Sequence, residues 1–335
     1  MGKVWIVSGI SGSGRRELLQ EVAEASDNRV AIYDVGERML QIAADNNLSV
    51  NNDKILDIDN MALTLLRAKA VQSILNEIEK NSNAEVHLVG IHAVFPWRGR
   101  IIPGISFEDI ASLKPSGVIC VVDDVKRILG FNKKNIKWQT LDEFNTQYWM
   151  MIEEYVSKLL SEFTKKPFFV VARQHETQNL LHLLLGKEKK RIYLSYPITA
   201  IKKTDPNFLI KLEKEVLPRL YEMFVVFNPL DIKDLESLPS EDETILLNSD
   251  ANQLKKERTV ERDYDFIDQS DAIVVFYKTD KHSPGVAAEI EYAHRNSKDV
   301  FMLYPFSRSP FLERAADEIY DKEETFWKKL KEFST

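Results

Sequence analysis

The chain has 335 residues, one cysteine and a formal net charge of −7, with 44% hydrophobic and 29% charged residues. That length suits two domains of ordinary size, and the balance is that of a globular chain without low-complexity tracts. The negative charge argues against general affinity for a nucleic-acid polymer, a lone cysteine excludes an internal disulfide framework, and no apolar run approaches the roughly 20 residues needed to span a bilayer. The opening MGKVWIVSG leads into a strand and not into a cleavable signal, so a cytoplasmic location without membrane attachment is expected.

Residues Lys3 to Ser8 form a short apolar run that ends at a Gly/Ser loop, and a helical pattern follows from Arg15 to Ala25. RVAIYDV predicts a second strand, Met61 to Lys80 a long amphipathic helix, EVHLVG a third strand and SGVICVVD a fourth. Cys120, inside the fourth, reads as a small buried hydrophobe. Leu141 to Phe163 predicts a further helix and KPFFVVAR a further strand. A glycine and a basic cluster at Gly186 to Lys190 mark a boundary, giving domains at 1–187 and 188–335. The pattern then restarts: strand Arg191 to Ser195, helix Phe208 to Met223, strand FVVFNP, helix Glu257 to Ile267, strand AIVVFY, helix Gly285 to Arg295 and strand DVFMLYP. An acidic stretch, DLESLPSEDE, reads as a surface loop. Strands alternating with helices imply parallel sheets covered on both faces, so the fold class is α/β with two doubly wound parallel-sheet domains.

From Gly9 the sequence GISGSGRRE has the G-x-x-x-x-G spacing of a phosphate-cradling loop between a strand and a helix. Such a loop turns backbone N–H groups onto phosphate oxygens, while a following Lys and Ser/Thr handle terminal charge and magnesium. Here those two positions are Arg15 and Arg16; an arginine carries charge but has no hydroxyl for a metal. The first half resembles the archaeal-type adenylate kinases, since GISGSGRRE, YDVGERMLQIA, GIHAVFPWRGRIIPGI and LKPSGVICVVDD occur in that family's order. Where the family has Asp-Thr-His this chain has Gly90, Ile91 and His92, and its arginine-rich lid has no clear counterpart. The resemblance therefore implies a P-loop kinase-like domain without phosphoryl transfer, which either binds ATP or another nucleotide, with or without magnesium, at Gly9, Ser11, Gly12, Ser13, Gly14, Arg15 and Arg16, or is a scaffold that binds nothing. His92 is a pocket residue by the resemblance and a hydrogen-bonded strand-end residue by its type.

In the second half, RIYLSYPIT carries Tyr193 and breaks at Pro197, leaving the next helix's first amides for a phosphate or sugar. VERDYDFIDQSDAIVV is an acidic helix leading into a strand; in HSPGVAAEIEYAHR, Gly285 permits a tight turn and small residues leave room before Glu289. Such positions lie past the carboxyl ends of strands, where open α/β sheets bind ligands. Cleaving an N-glycosidic bond needs a carboxylate at the anomeric carbon and a group that assists base departure. These segments resemble the nucleoside 2-deoxyribosyltransferase superfamily, which includes the 2'-deoxynucleoside 5'-phosphate N-hydrolases. The resemblance implies a flavodoxin-like or Rossmann-like fold, Glu289 as nucleophile, Asp263 as the carboxylate that binds sugar and assists the leaving base, and Tyr193 as the hydroxyl orienting Glu289. It also implies substrate contacts from Ser283, Gly285, Ser195, Pro197 and Ile198, with Tyr196 narrowing the pocket. Asp271 is a substrate or strand-entrance residue.

The expectation is thus an N-glycosidase or deoxyribosyltransferase acting on a nucleoside or its 5'-monophosphate, needing no cofactor for cleavage and forming a homodimer or higher homo-oligomer. No metal site is expected, since H-E-x-x-H spacing is absent and His282 and His294 read as surface residues. A nucleotide-sensing regulatory protein and an active nucleoside monophosphate kinase are the alternatives.

Overall fold

The computed structural model describes residues 2–48, 50, 54–186, 189–232 and 250–335, and the acidic stretch DLESLPSEDE lies outside them. The chain divides into two compact units, Met1–Thr177 with Ile232–Thr259, and Gln178–Asp231 with Val260–Thr335.

The first unit runs β1 (Lys3–Ser8), α1 (Arg15–Glu24), β2 (Val30–Asp34), α2 (Val35–Asp45), α3 (Asn60–Lys80), β3 (Val86–Gly90), β4 (Val94–Trp97), β5 (Arg100–Pro103), α4 (Phe107–Leu113), β6 (Gly117–Val122), α5 (Val125–Asn132), α6 (Glu143–Thr164) and β7 (Phe168–Ala172). Among the described residues, its main sheet has the parallel order β2-β3-β1-β6-β7. Central strands β1, β3 and β6 are buried almost throughout, as expected of apolar runs covered on both faces, whereas edge strand β2 is partly open. The antiparallel β4–β5 hairpin is an element the sequence pattern does not predict. It turns through Arg98 and Gly99, both at positive φ, the backbone demanded by a two-residue turn matched to strand twist. Behind it Trp149 of α6 donates its indole N–H to Val94 O at 2.9 Å.

In the second unit come α7 (Thr177–Leu185, from Gln178 onward), β8 (Arg191–Ser195), α8 (Ile198–Thr204), α9 (Pro206–Lys211), α10 (Leu217–Met223), β9 (Val225–Phe227), α11 (Asp250–Asp268, from Val260 onward), β10 (Ala272–Phe276), α12 (Pro284–Arg295), β11 (Asp299–Leu303), α13 (Pro310–Ala315), β12 (Glu318–Tyr320) and α14 (Glu323–Phe333). The parallel order is β12-β11-β10-β8-β9. The single helix predicted from Phe208 to Met223 is instead α9 and α10 joined by a π turn over Leu212–Val216. Pro218 explains the widening, because its nitrogen cannot donate to the preceding turn.

Alternation along β8 sets the chemistry of the two sheet faces. Ile192 and Leu194 enter an apolar core with Leu220, Phe224, Phe326 and Leu330. Tyr193 and Ser195, one residue out of phase, must face the other way. On that side Tyr193 meets Phe266 of α11, with ring centroids 6.5 Å apart.

Candidate functional site

Glu289 owes its position to the helical stripe of α12. Val286, Ile290 and Ala293 of that helix are buried, and residues three or four apart share a face, so Glu289 lies on the side turned toward the sheet. There it meets the odd face of β8: Tyr193 Oη donates to Glu289 Oε1 at 3.1 Å, and Ser195 Oγ donates to Oε2 at 2.5 Å. Burial, and then the nearby Asp263 carboxylate, push the Glu289 carboxyl up to about 8 against the pull of the two hydroxyl donors. Asp263 is raised by burial, while Arg262, which donates to Asp263 Oδ1 at 3.1 Å through Nη2, pulls it back. The Tyr193 phenol is held well above its ordinary range by burial and by both carboxylates, so it stays protonated and can only donate to Glu289. Each Glu289 oxygen keeps a second lone pair, which leaves the carboxylate able to attack an electrophile.

The structure brings together Glu289, Asp263, Tyr193 and Ser195, with Ser195 engaged by Glu289. Ser283 is the residue preceding α12, and its N–H donates to Tyr277 Oη at 2.8 Å. Gly285 makes no tight turn: it sits in the first turn of α12 with ordinary φ and open space where a Cβ would stand. The chain enters that helix through Pro284, whose fixed φ suits a first helical position. Pro197 caps α8, but the amide of Ile198 donates to Tyr196 O at 2.8 Å, so it is not free for a phosphate, and the Ile198 side chain packs on the opposite core. Tyr196 does not narrow a pocket, since it is buried in that same core with its hydroxyl on Asn228 Oδ1 at 3.0 Å. Asp271 stands at the amino end of β10 and takes the Arg191 guanidinium and amide, at 2.5 Å and 2.8 Å. That is the opposite end of the parallel strands from Ser195, so Asp271 serves the strand entrance and not the site.

In the first unit, Gly9, Gly12 and Gly14 have φ of 154°, 84° and 70°, and the loop runs directly from β1 into α1. At Gly14 a side chain would be strained, because the backbone is left-handed and a Cβ would stand 2.7 Å from the Arg173 side chain. Ser11 is tied to α5, its Oγ donating to Asn132 Oδ1 at 3.2 Å, while the buried Ser13 hydroxyl has no hydrogen-bond partner among the described residues. Both arginines are drawn onto Asp34. Arg15, 5% exposed, donates through Nη2 to Asp34 Oδ2 at 2.9 Å, and Arg16 grips both Asp34 oxygens at 3.2 Å and 3.0 Å. Asp34 ends β2 and also caps α2, accepting from the Glu37 amide at 2.9 Å. The arginines hold its carboxyl below the usual range against burial. Magnesium does not fit: Arg16 stands where a hydroxyl ligand is needed, and Asp34 is committed to two guanidinium groups.

A cavity of about 260 Å³ opens beside the loop, with Met39, Leu63, Phe95 and Trp138 on its apolar walls and Arg15, Arg67 and His92 as polar ones. Arg67 is buried with its Nη2 on Pro103 O at 2.7 Å and its Nε without a hydrogen-bond partner among the described residues. Burial, with Arg15 nearby, keeps His92 neutral, and its Nδ1 has no hydrogen-bond partner among the described residues. Behind the loop lies Glu153 of α6, which the sequence pattern does not single out. Its Oε1 accepts from the amides of Gly9 and Ala93 at 3.1 Å and 2.8 Å, and Oε2 from that of Val94 at 3.0 Å. Burial raises its carboxyl to about 7 despite those donors.

Residues 8–134 match the family model of an AAA domain. No curated protein matches the chain. Among solved structures, the shikimate kinase from Acinetobacter baumannii in complex with shikimate aligns at 14% identity and a TM-score of 0.36, over 56% of this chain and 95% of that one. The shikimate kinase from Bacteroides thetaiotaomicron aligns at 10% identity and 0.35, over 54% and 97%. An uncharacterized protein from Eubacterium ventriosum aligns at 12% identity and 0.30, over 55% and 96%. Within residues 8–134 the two basic residues that follow the glycine loop both pair with Asp34. Among the described residues no helix is long and apolar enough to cross a membrane.

Proposed function

We propose that the second unit cleaves the N-glycosidic bond of a nucleoside or nucleoside 5'-monophosphate, and that the first unit binds a nucleotide without transferring its phosphoryl group. The observation that carries the first part is a buried carboxylate, Glu289, held by two hydroxyl donors beside a second carboxylate, Asp263. Perturbed carboxyls in such a pairing are suited to divided roles. In this reading the ionised Glu289 attacks the anomeric carbon, Tyr193 and Ser195 fix its plane, and Asp263 binds the sugar and assists the departing base. Water or a second base then takes the sugar. The test is a mass-spectrometric scan of nucleoside and 5'-monophosphate mixtures for released free base. Release that persists unchanged in Glu289→Ala sinks the assignment.

Two further results are expected from the same assay. Because Glu289 must lose its proton to attack, base release should rise with pH and level off above about 8; a profile flat from acid to alkaline pH contradicts this. Tyr193→Phe removes one donor to the carboxylate, a hydrogen bond to a charged group, so base release at neutral pH should fall by about 10- to 100-fold, with the rising limb moved to higher pH. A Tyr193→Phe rate equal to that of the unaltered chain would count against the role given to the phenol.

For the first unit, phosphoryl transfer relies on a positioned cation and metal. With Arg15 and Arg16 both bonded to Asp34, the nucleotide-sensing reading is favoured over an active kinase.

A further inference from the structure

We infer that Asp34 is a resident counter-anion that sets which ligands the glycine loop accepts, making it discriminate against nucleotides rich in phosphate charge. This rests on the proposal above that the loop binds nucleotide, and adds to it a charge class and the residue that imposes it.

A loop of this kind holds a polyphosphate by offering cations in addition to backbone amides, because each terminal phosphate brings further negative charge. Here the positions that should supply the cation are Arg15 and Arg16, and one carboxylate takes them both. Arg16 also pairs with Glu37, Nη1 to Oε1, at 2.9 Å. Two guanidinium groups and two carboxylates thus sum to no net charge at the head of α1, with a third carboxylate, Glu153, bonded to the Gly9 amide from behind.

Arg15 cannot simply turn to a ligand. It is 5% exposed, its Nη2 is on Asp34 and its Nη1 is on Gly9 O at 3.4 Å. Moving it would leave Asp34 with only the more exposed Arg16, and a desolvated carboxylate that loses a partner is costly. Among the described residues the Arg15 Nε is buried without a hydrogen-bond partner, and Arg15 lines the cavity together with Arg67 and Lys137. A phosphate placed at the loop therefore meets the loop amides while both neighbouring arginines are already held by Asp34. Each further phosphate then adds negative charge near Asp34 and Glu37 with no additional cation from Arg15 or Arg16.

The experiment titrates the full chain with AMP, ADP and ATP in chelator, without magnesium, by calorimetry. In the unaltered chain affinity should not rise from AMP to ATP. Asp34→Asn keeps a side chain that caps α2 but removes the charge, and should tighten ATP by about tenfold or more while changing AMP by less than about threefold. Asp34→Ser, a second neutral cap, should behave alike, and Arg15→Ala added to Asp34→Asn should abolish the gain. Should both Asp34 variants fold poorly, Glu37→Gln removes the exposed carboxylate without touching the cap and should favour ATP in the same order, by about two- to threefold.

If the unaltered chain binds nucleotide and the neutral variants leave the AMP-to-ATP ratio unchanged, the role given to Asp34 is overturned while nucleotide binding stands. Should the folded chain and all variants bind none of the three, the nucleotide-binding reading fails and this inference goes with it.

Discussion

Glu289→Gln should abolish base release, by about a thousandfold or more, and at the same time stabilise the fold at neutral pH. The first effect follows from replacing a nucleophile by a neutral amide that cannot form the covalent intermediate. The second follows from linkage. The Glu289 carboxyl has an ordinary value of 4.5 and rises to about 8 in the folded protein. Between these pH values the unfolded chain gives up a proton that the folded chain retains, so stability declines as pH rises through that window and the loss is complete above the folded value. At about 1.4 kcal/mol per unit the accumulated loss at pH 7 is on the order of 3 kcal/mol. Glutamine carries no such titration. Urea melts should therefore show Glu289→Gln more stable than the unaltered chain at pH 8, with the difference vanishing near pH 4.5. A gain independent of pH would contradict the raised carboxyl; a loss of stability at pH 8 would show that Glu289 is a structural residue.

Glu153→Ala should have the opposite sign and a comparable size, destabilising the first unit by roughly 3–5 kcal/mol. Its carboxylate terminates three buried amides, those of Gly9, Ala93 and Val94, and alanine leaves all of them without an acceptor. Glu153→Gln is the informative companion. Its carbonyl oxygen can still serve Gly9 and Ala93, but its NH₂ would face the Val94 amide, donor against donor, so an intermediate loss is expected. Denaturant melts of the three proteins check this order. A Glu153→Ala loss below about 1 kcal/mol would mean that water replaces the carboxylate at those amides.

Much of the fold is legible from local pattern because its strands are buried on both faces. Such strands appear as apolar runs, and IVS in β1, VICVV in β6 and AIVVF in β10 are of this kind. The glycine loop is equally legible, since its spacing lies between a strand and a helix. The β4–β5 hairpin is not, because Pro96 interrupts the pattern and the turn depends on Arg98 adopting positive φ. Nor is the π turn, whose signal, a proline deep in a helical run, is read by default as a kink.

At the site the division is between local and tertiary information. The stripe of Val286, Ile290 and Ala293 already turns Glu289 inward, and the alternation of β8 already puts Tyr193 and Ser195 on one face. Their meeting is tertiary, and it reassigns Ser195 from a substrate contact to a partner of Glu289. Asp34 shows the same limit: a strand-ending aspartate before a helix reads as a cap, whereas its capture of both loop arginines depends on β2 and α1 being brought together. Glu153 has no signal beyond being acidic on a long helix; only the fold reveals the three amides it answers. Asp271 and Gly285 show the converse, in that residue type suggests a ligand contact and position in the element removes the need for one.

The most direct test of the account is intact-mass spectrometry after brief exposure to a panel of 2'-fluoro-arabino nucleosides and their 5'-monophosphates, which slow hydrolysis of a glycosyl ester. The account predicts one added sugar or sugar phosphate per chain, located by peptide mapping at Glu289 and absent from Glu289→Gln. Base released from the natural substrates with the adduct on another residue, or with Glu289→Gln as active as the unaltered chain, would contradict it.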